Sequence, residues 1–341
     1  MTPLKLAIVG PGRMGAIYAR LANELATAQL VAICGRSNTS THALANEYSV
    51  PGYVDGAHQQ MLAAHPEIEA VIVSASEWAH TEPVLAAIDA GKHVLVEKPM
   101  AIAEAGAAEM VDRAEKAGVT LLVGHSLRFD LRFAAMRQAV HEGKIGEVLH
   151  VYARRNPPQV VAERVLGRFP LVYWLMPHDI DMMLWTVDSP VIKVMAHSRA
   201  GGRERTDFII AVLTFASGAV GVVESSWGTP AHGGRPQTEL FTIRGTAGAA
   251  EVTGHENGVG VYVAGSDADY PDTGYAPLIH GEQDGIFRRV FRHFVGVVQG
   301  QWEPVVTGPD GLAAIRVAAA IERSLNDGQE VVLESENDYG Q

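Results

Sequence analysis

Short apolar runs alternate with amphipathic stretches through the first third of the chain, the pattern of parallel strands joined by crossover helices. Leu4 to Val9 is apolar on both faces apart from Lys5, as expected of a strand covered by helices on either side. Met14, Ile17, Tyr18, Leu21 and Leu25 then recur at helical spacing, so a helix starts close behind the first strand. Leu30 to Cys34 reads as the second strand and Val71 to Ser74 as a later one. A helix follows that Thr81 can cap, with Pro83 in its first turn, Val84, Leu85 and Ile88 on one face and Gly91 just beyond its end. His93 to Glu97 makes another strand, Ala103 to Ala117 a helix stopped by Gly118, and Val119 to Val123 a final strand. Together these predict an α/β unit built on a doubly wound parallel sheet over residues 1–123.

After Gly124 the pattern changes. A helix over Leu131 to Glu142 leads through Gly143-Lys144-Ile145-Gly146 to a strand around Val148 to Arg154, and a short helix follows His178. Three β-rich runs come next, Val191 to Ser198, Phe208 to Phe215 and Ala219 to Trp227, the last two joined by a hairpin-like turn at Ser217-Gly218. Thr238 to Arg244 and Val259 to Val263 read as further strands; helices over Asp284 to Val298 and Pro309 to Leu325 and a strand at Val331 to Leu333 close the pattern. Residues 124–341 are therefore expected to form an α+β domain with a large open, mainly antiparallel sheet. No internal repeat or low-complexity tract is present, and the acidic tail from Glu334 is expected to fray.

Size and charge narrow the function. At 341 residues the chain exceeds the length at which a single core keeps growing, which agrees with two domains. The net charge of −12 repels phosphate backbones and anionic lipid headgroups, so neither nucleic acid nor a membrane surface is an expected partner. Cys34 is the only cysteine, which excludes an intrachain disulfide and fits a reducing compartment. The first residues run into a strand pattern without a charged leader or cleavage site, and no apolar run approaches the roughly 20 residues that span a bilayer. The cytoplasm is the expected location.

Behind the first strand stands Gly10-Pro11-Gly12-Arg13-Met14-Gly15. Gly10 permits a tight turn, Gly12 lets the backbone approach a pyrophosphate, Gly15 allows close helix packing, and the helix N-terminus faces the phosphate charge. Alone the motif is weak; between a strand and a helix it favours a dinucleotide-binding Rossmann unit over a plain turn. NAD sites usually place Asp or Glu about 20 residues further on, at the end of the second strand. Here that place reads Gly35-Arg36-Ser37, so NADP is expected as the preferred cofactor with NAD as the alternative. Arg36 stacking on the adenine is the competing reading.

Lys98 lies at the carboxyl end of the strand Val94-Leu95-Val96-Glu97, and Pro99 fixes the turn behind it. Open α/β sheets place their ligands at that edge. An ammonium there can hydrogen-bond a reacting hydroxyl, stabilise developing alkoxide and move its proton as hydride leaves the carbon. The alternative for any lysine is a solvated surface charge.

The glycine motif, Ser74-Ala75-Ser76 with His80, Glu97-Lys98-Pro99, Leu127-Arg128-Phe129, Arg154-Arg155-Asn156, His178-Asp179-Ile180-Asp181 and Gly308-Pro309-Asp310-Gly311-Leu312 together resemble the glucose-fructose oxidoreductase, inositol dehydrogenase and MocA family across nearly the whole chain. The resemblance implies an oxidoreductase acting on a secondary alcohol of a cyclic sugar, polyol or sugar derivative. It makes Lys98 the catalytic lysine, often before a cis-proline, and His178 the second acid/base group. It implies that Ser74, Ser76 and His80 line the nicotinamide end of the cofactor, with Ala75, Glu97 and Pro99 in the same two segments. It also implies that Arg128, Asn156 and Asp181 face or support the substrate pocket, and that the protein forms a homodimer or homotetramer through the open sheet face. Without the resemblance His178 reads equally well as a capping or core histidine.

One position departs from the family. Its polyol dehydrogenases commonly carry Asp four residues before the histidine, and this chain has Trp174. The carboxylate that would grip adjacent hydroxyls is absent, which puts inositol itself in doubt; Trp174 either stacks on a pyranose ring or fills the core. Arg164 and Arg168 upstream either meet an anionic substrate group or are solvated. Two other functions fit the same residues: an oxidation, elimination and re-reduction cycle that cleaves a glycosidic bond, and a non-catalytic dinucleotide sensor, from which loss of Lys98 or His178 would be expected. The fourteen histidines are scattered without a metal-ligand spacing, so no metal is expected.

Overall fold

The computed structural model describes residues 2–157, 170–200, 207–227, 238–254, 259 and 271–333. The chain forms two compact units: residues 1–129 with 274–315, and residues 130–273 with 316–341.

The first unit is built on a six-stranded parallel sheet. Its strands are β1 (Leu4–Val9), β2 (Ala28–Cys34), β3 (Gly52–Tyr53), β4 (Ala70–Val73), β5 (His93–Val96) and β6 (Leu121–Val123), in the order β3-β2-β1-β4-β5-β6. Alternate residues of β1 point to opposite faces, so Leu6 and Ile8 enter one core while Ala7 and Val9 enter the other. Both faces are apolar because helices cover both. On one side lie α3 (His58–Ala64), α4 (Thr81–Asp89) and α5 (Glu104–Ala117), contributing Met61, Val84, Ala87 and Met110. On the other lies α1 (Arg13–Glu24), contributing Tyr18 and Leu21, and α2 (Asn38–Glu47) adds Leu44.

The parallel sheet is the doubly wound architecture expected, with differences of detail. β3, α2 and α3 fill the interval between Gly35 and Ile68, where a two-residue strand and a polar helix leave little periodic signal. His80, not Thr81, occupies the cap position of α4; Thr81 is its first helical residue. Residues 274–315 were expected with the second domain and pack with the first, starting with a hairpin of β13 (Leu278–Ile279) and β14 (Glu282–Gln283). The reason is α9 (Ile286–Val298), whose Phe287, Val290, Phe291 and Phe294 recur at helical spacing and enter the same core as Tyr18 and Leu21.

The second unit is built on a seven-stranded mixed sheet. Its strands β7 (Val148–Asn156), β8 (Val191–Arg199), β9 (Phe208–Phe215), β10 (Val220–Ser226), β11 (Thr238–Gly245), β12 (Ala249–Thr253) and β15 (Val331–Val332) run in the order β12-β11-β7-β10-β9-β8-β15. Every neighbouring pair is antiparallel except β7 with β10. The turn between β9 and β10 uses Gly218 at φ +89°, a conformation that favours glycine. Helices α6 (Leu131–His141), α7 (Leu171–Trp174) and α8 (Met176–Val187) belong to this unit, and α8 starts before His178 rather than after it. The helix α10 (Gly308–Asp327) supplies Ser324, whose hydroxyl accepts from the Ala196 N–H at 2.9 Å. The strand expected over Val259 to Val263 lies outside the described residues apart from Val259.

Candidate functional site

Four strands of the first unit end in line. Val9, Val73, Val96 and Val123 are successive register partners, so the next residues, Gly10, Ser74, Glu97 and Gly124, stand side by side at the carboxyl edge of the sheet. Backbone bonds extend the ladder one step beyond the strands: Ser74 N–H donates to Val9, Glu97 N–H to Val73 and Gly124 N–H to Val96, at 2.7–2.8 Å.

The glycine loop fits a dinucleotide pyrophosphate. Gly10 sits at φ +106°, and a Cβ there would meet the Ala75 nitrogen at 2.4 Å. A Cβ at Gly15 would meet the Gly10 carbonyl oxygen at 2.0 Å, so this glycine lets α1 start against the loop. A Cβ at Gly12 would meet nothing within 4 Å. Gly10 and Gly15 thus serve the protein's own packing, whereas Gly12 borders open space at a helix N-terminus, the place at which a phosphate can approach backbone N–H groups. Arg13 and Met14 form the first turn of that helix, Arg13 exposed and Met14 half-buried.

Lys98 is half-buried and follows β5, and the Lys98–Pro99 peptide is cis. Its two neighbours are tied down in different directions. Glu97 is buried, and its Oε1 accepts from the Tyr18 hydroxyl at 2.7 Å; burial pushes the carboxyl above its ordinary pKa against the pull of Tyr18 and Lys98. Gly124 makes room for that carboxylate, since a Cβ there would lie 3.1 Å from its carbon. The Pro99 carbonyl lies 2.8 Å from His80 Nδ1, and His80 Nε2 lies 3.0 Å from the Ala75 carbonyl. His80 is 1 % exposed, and burial pushes its pKa down. Glu97 and His80 were expected on the cofactor; the structure turns both side chains into the protein, where they fasten the lysine turn. Ser74 behaves alike, its hydroxyl donating to the Gly10 carbonyl at 3.0 Å, while Ala75 and Ser76 remain half-buried at the edge.

At the end of β2 the three expected residues differ. Gly35 is buried, and a Cβ there would meet Thr41 Oγ1 at 2.4 Å and the Pro11 ring at 2.5 Å. Arg36 and Ser37 are exposed, and Ser37 caps α2 by accepting from the Ser40 N–H at 3.4 Å. Arg128, expected to face or support the substrate pocket, has its guanidinium on the Val305 carbonyl at 2.9 Å and on Asp310 at 3.1 Å, with 3 % of the side chain exposed. It holds the start of α10 within the first unit.

In the second unit, His178 is half-buried in the first turn of α8, and Asp181 on the same helix is 1 % exposed. Trp174 lies about one helical turn before His178, half-buried, with its ring centroid 4.9 Å from that of the buried Trp227. Asn156 is not brought to this helix. Arg155 points to the α8 side of β7 and bonds Asp179, whereas Asn156 points the other way and donates to Glu224 at 3.0 Å. Arg164 and Arg168 lie outside the described residues. Among the described residues no group of three or more His, Cys, Asp or Glu is arranged to hold a metal ion, and no helix is long and apolar enough to cross a membrane.

Sequence reasoning missed Tyr18 and Glu239. Tyr18 gave no sign beyond its place on the apolar stripe of α1. Glu239 and Arg155 carry a signal that could have been used: each falls on the inward face of its strand, in line with the buried Phe241 and Ala153, where a charge must find a buried partner.

Residues 4–125 match the family model described as "Oxidoreductase family, NAD-binding Rossmann fold", and residues 133–251 match the GFO/IDH/MocA C-terminal domain. The chain is 28 % identical over 340 residues to a myo-inositol 2-dehydrogenase of Thermotoga maritima, covering 97 % of this chain and 99 % of that protein. It is 25 % identical to a 2,7-anhydro-N-acetylneuraminate hydratase of Mediterraneibacter gnavus, covering 98 % and 97 %. The crystal structure of scyllo-inositol dehydrogenase from Lactobacillus casei with NAD(H) and scyllo-inositol has the same fold, with a TM-score of 0.80 at 20 % identity, covering 97 % of this chain and 99 % of that one. With one matched segment in each of its two units, the chain belongs to the GFO/IDH/MocA oxidoreductase family.

Proposed function

We propose that the protein is a dinucleotide-dependent dehydrogenase that moves a hydride between a secondary alcohol of a cyclic sugar, polyol or sugar derivative and a nicotinamide. The observation that carries this reading is the shared sheet edge of a loop open at Gly12 and a fastened turn that presents Lys98. Similarity to proteins named as inositol 2-dehydrogenases supports the substrate class. When bound, the nicotinamide supplies the carbon that accepts or donates the hydride.

The chain's own residues hold and move the proton. In the oxidation direction the Lys98 amine hydrogen-bonds the reacting hydroxyl and accepts its proton as hydride leaves the carbon; in the reduction direction the Lys98 ammonium stabilises the negative charge developing on the oxygen and returns the proton to it. His178 is the second acid/base group at the substrate hydroxyl. Trp174 and Asp181 border the substrate, and Arg128 and Asn156 support from a distance through Asp310 and Glu224. NADP is the preferred cofactor in this proposal, because the exposed Arg36 and Ser37 stand where a ribose phosphate would lie and no carboxylate occupies that strand end. The same reading includes a homodimer or homotetramer, supported by exposed Val212 and Val220 on the outer face of β9 and β10 and testable by light scattering.

The test is a panel of cyclic sugars and polyols assayed with NAD and NADP. Dinucleotide reduction by at least one substrate, lost in Lys98→Met, is expected; failure of every substrate together with absence of dinucleotide binding overturns the proposal. The similarity to a hydratase favours a second reading, an oxidation and re-reduction cycle on a retained cofactor. It predicts product without net change in nicotinamide absorbance.

A further inference from the structure

Three charged side chains meet inside the second unit, one of them directly after His178. Arg155 on β7 sends Nε and Nη2 to the two carboxylate oxygens of Asp179, each at 2.9 Å, and its Nη1 to Glu239 on β11. No side chain of the three is more than 6 % exposed. The Arg155 carbonyl in turn accepts from the Ser225 hydroxyl of β10 at 2.9 Å. Asp179 sits in the first turn of α8, directly after His178.

Such a network is a poor way to gain stability, because replacing a buried ion group by apolar side chains of similar volume is often neutral or stabilising. Its geometry offers something a hydrophobic contact does not. A guanidinium that engages both oxygens of one carboxylate fixes distance and orientation together, and a second carboxylate on a different strand fixes the guanidinium. A contact among methyl groups allows a helix to roll; a two-pronged bond to its first turn does not. Successive helical residues are separated by about 100° around the axis, so the direction of Asp179 sets that of His178.

We infer that Arg155, Asp179 and Glu239 are positioning residues that fix the roll of α8 and thereby aim His178. The inference rests on the proposed acid/base role of His178. Arg155 is the bridge, Asp179 the attachment on the helix, and Glu239 the strut that keeps the guanidinium from rotating with it.

The experiment compares Asp179→Asn, Arg155→Lys, His178→Asn and the double variant His178→Asn/Asp179→Asn, each measured for turnover, KM and dinucleotide affinity. Misplacement of a reacting group by about 1 Å can cost roughly 100-fold. Asp179→Asn and Arg155→Lys should each lower kcat on that order with dinucleotide affinity unchanged, and Asp179→Asn should cost nothing further once His178 is gone. Losses that multiply in the double variant overturn the inference, as does full kcat in Arg155→Lys, which keeps the charge and loses the fork. Should His178→Asn keep its turnover, the role of His178 falls first, and this result is distinct from either. The triple variant Arg155→Met/Asp179→Leu/Glu239→Leu separates positioning from folding: it should unfold at or above the parent's urea midpoint while turning over slowly, and a well-folded triple variant with normal kcat overturns the inference.

Discussion

Replacing Gly12 and Gly15 separately by alanine distinguishes a glycine needed by a ligand from one needed by the fold. At Gly12 the backbone lies at φ −83° and ψ −165°, which any residue adopts, and the added methyl would meet nothing within 4 Å. The variant should keep the parent's stability to within about 0.5 kcal/mol, the usual range for a surface change. At Gly15 the methyl would lie 2.0 Å from the Gly10 carbonyl oxygen and 3.1 Å from Ser74 Oγ. Carbon–oxygen contact needs more than an ångström beyond the first of those distances, so α1 must shift, at a cost of roughly 1–3 kcal/mol for an overpacked site. Binding follows a different order. A methyl at Gly12 fills the space a pyrophosphate must enter, and dinucleotide affinity should fall by about tenfold or more, equivalent to about 1.4 kcal/mol. Urea unfolding of the ligand-free variants gives the first quantity and a fluorescence titration with NAD and NADP the second. Unimpaired binding in Gly12→Ala, or a stability loss there equal to that of Gly15→Ala, would refute the argument.

Other outcomes follow from the same geometry. Placing an acid at Gly35 is not a clean test of cofactor choice, because its Cβ would collide with Thr41 and Pro11; Arg36→Asp, at an exposed position, should shift the ratio of kcat/KM values toward NAD by about tenfold, and an unchanged ratio contradicts the NADP assignment. Burial raises the Asp310 carboxyl, but Arg128 and Thr307 outweigh it and hold the pKa below its ordinary value. A lowered carboxyl pKa contributes stability above the unfolded value of about 3.9 and loses it as pH falls through the folded one. Arg128→Met should therefore cost about 2 kcal/mol at neutral pH, less than a wholly buried pair because Asp310 stays 33 % exposed, and the deficit should shrink in acid; a deficit that grows in acid contradicts the pairing. Burial raises the Cys34 thiol to about 11, so a thiol reagent at neutral pH should react only as fast as the first unit opens, and rapid labelling of the native protein would show that the β2 end is not closed.

The periodic parts of the fold were legible in the chain, and the reasons are specific. β1, β4 and β5 are buried on both faces and read as apolar runs broken only by Lys5 and the leading His93, and β9 is recovered at both ends because Phe208–Phe215 is apolar apart from Thr214 and stops at a glycine turn. β3 was not legible, since two residues carry no period. The return of residues 274–315 to the first unit was not legible either: the apolar stripe of Ile286–Val298 shows that it is buried, not against which sheet. At the candidate site, residue types and strand ends located Gly12 and Lys98. Side-chain direction was hidden: residue types and strand ends do not reveal that Glu97 bonds Tyr18, that His80 meets the Pro99 carbonyl or that Arg128 binds Asp310.

The central claim is that the Lys98 amine handles the proton of the alcohol being oxidised. The most direct measurement is single-turnover hydride transfer by Lys98→Met with saturating dinucleotide, beside the dinucleotide dissociation constant of the same variant. The account predicts a rate lower by roughly 10²–10⁴-fold, the contribution of a positioned acid/base group, with the dissociation constant unchanged. Hydride transfer at the parent's rate in that variant would contradict it.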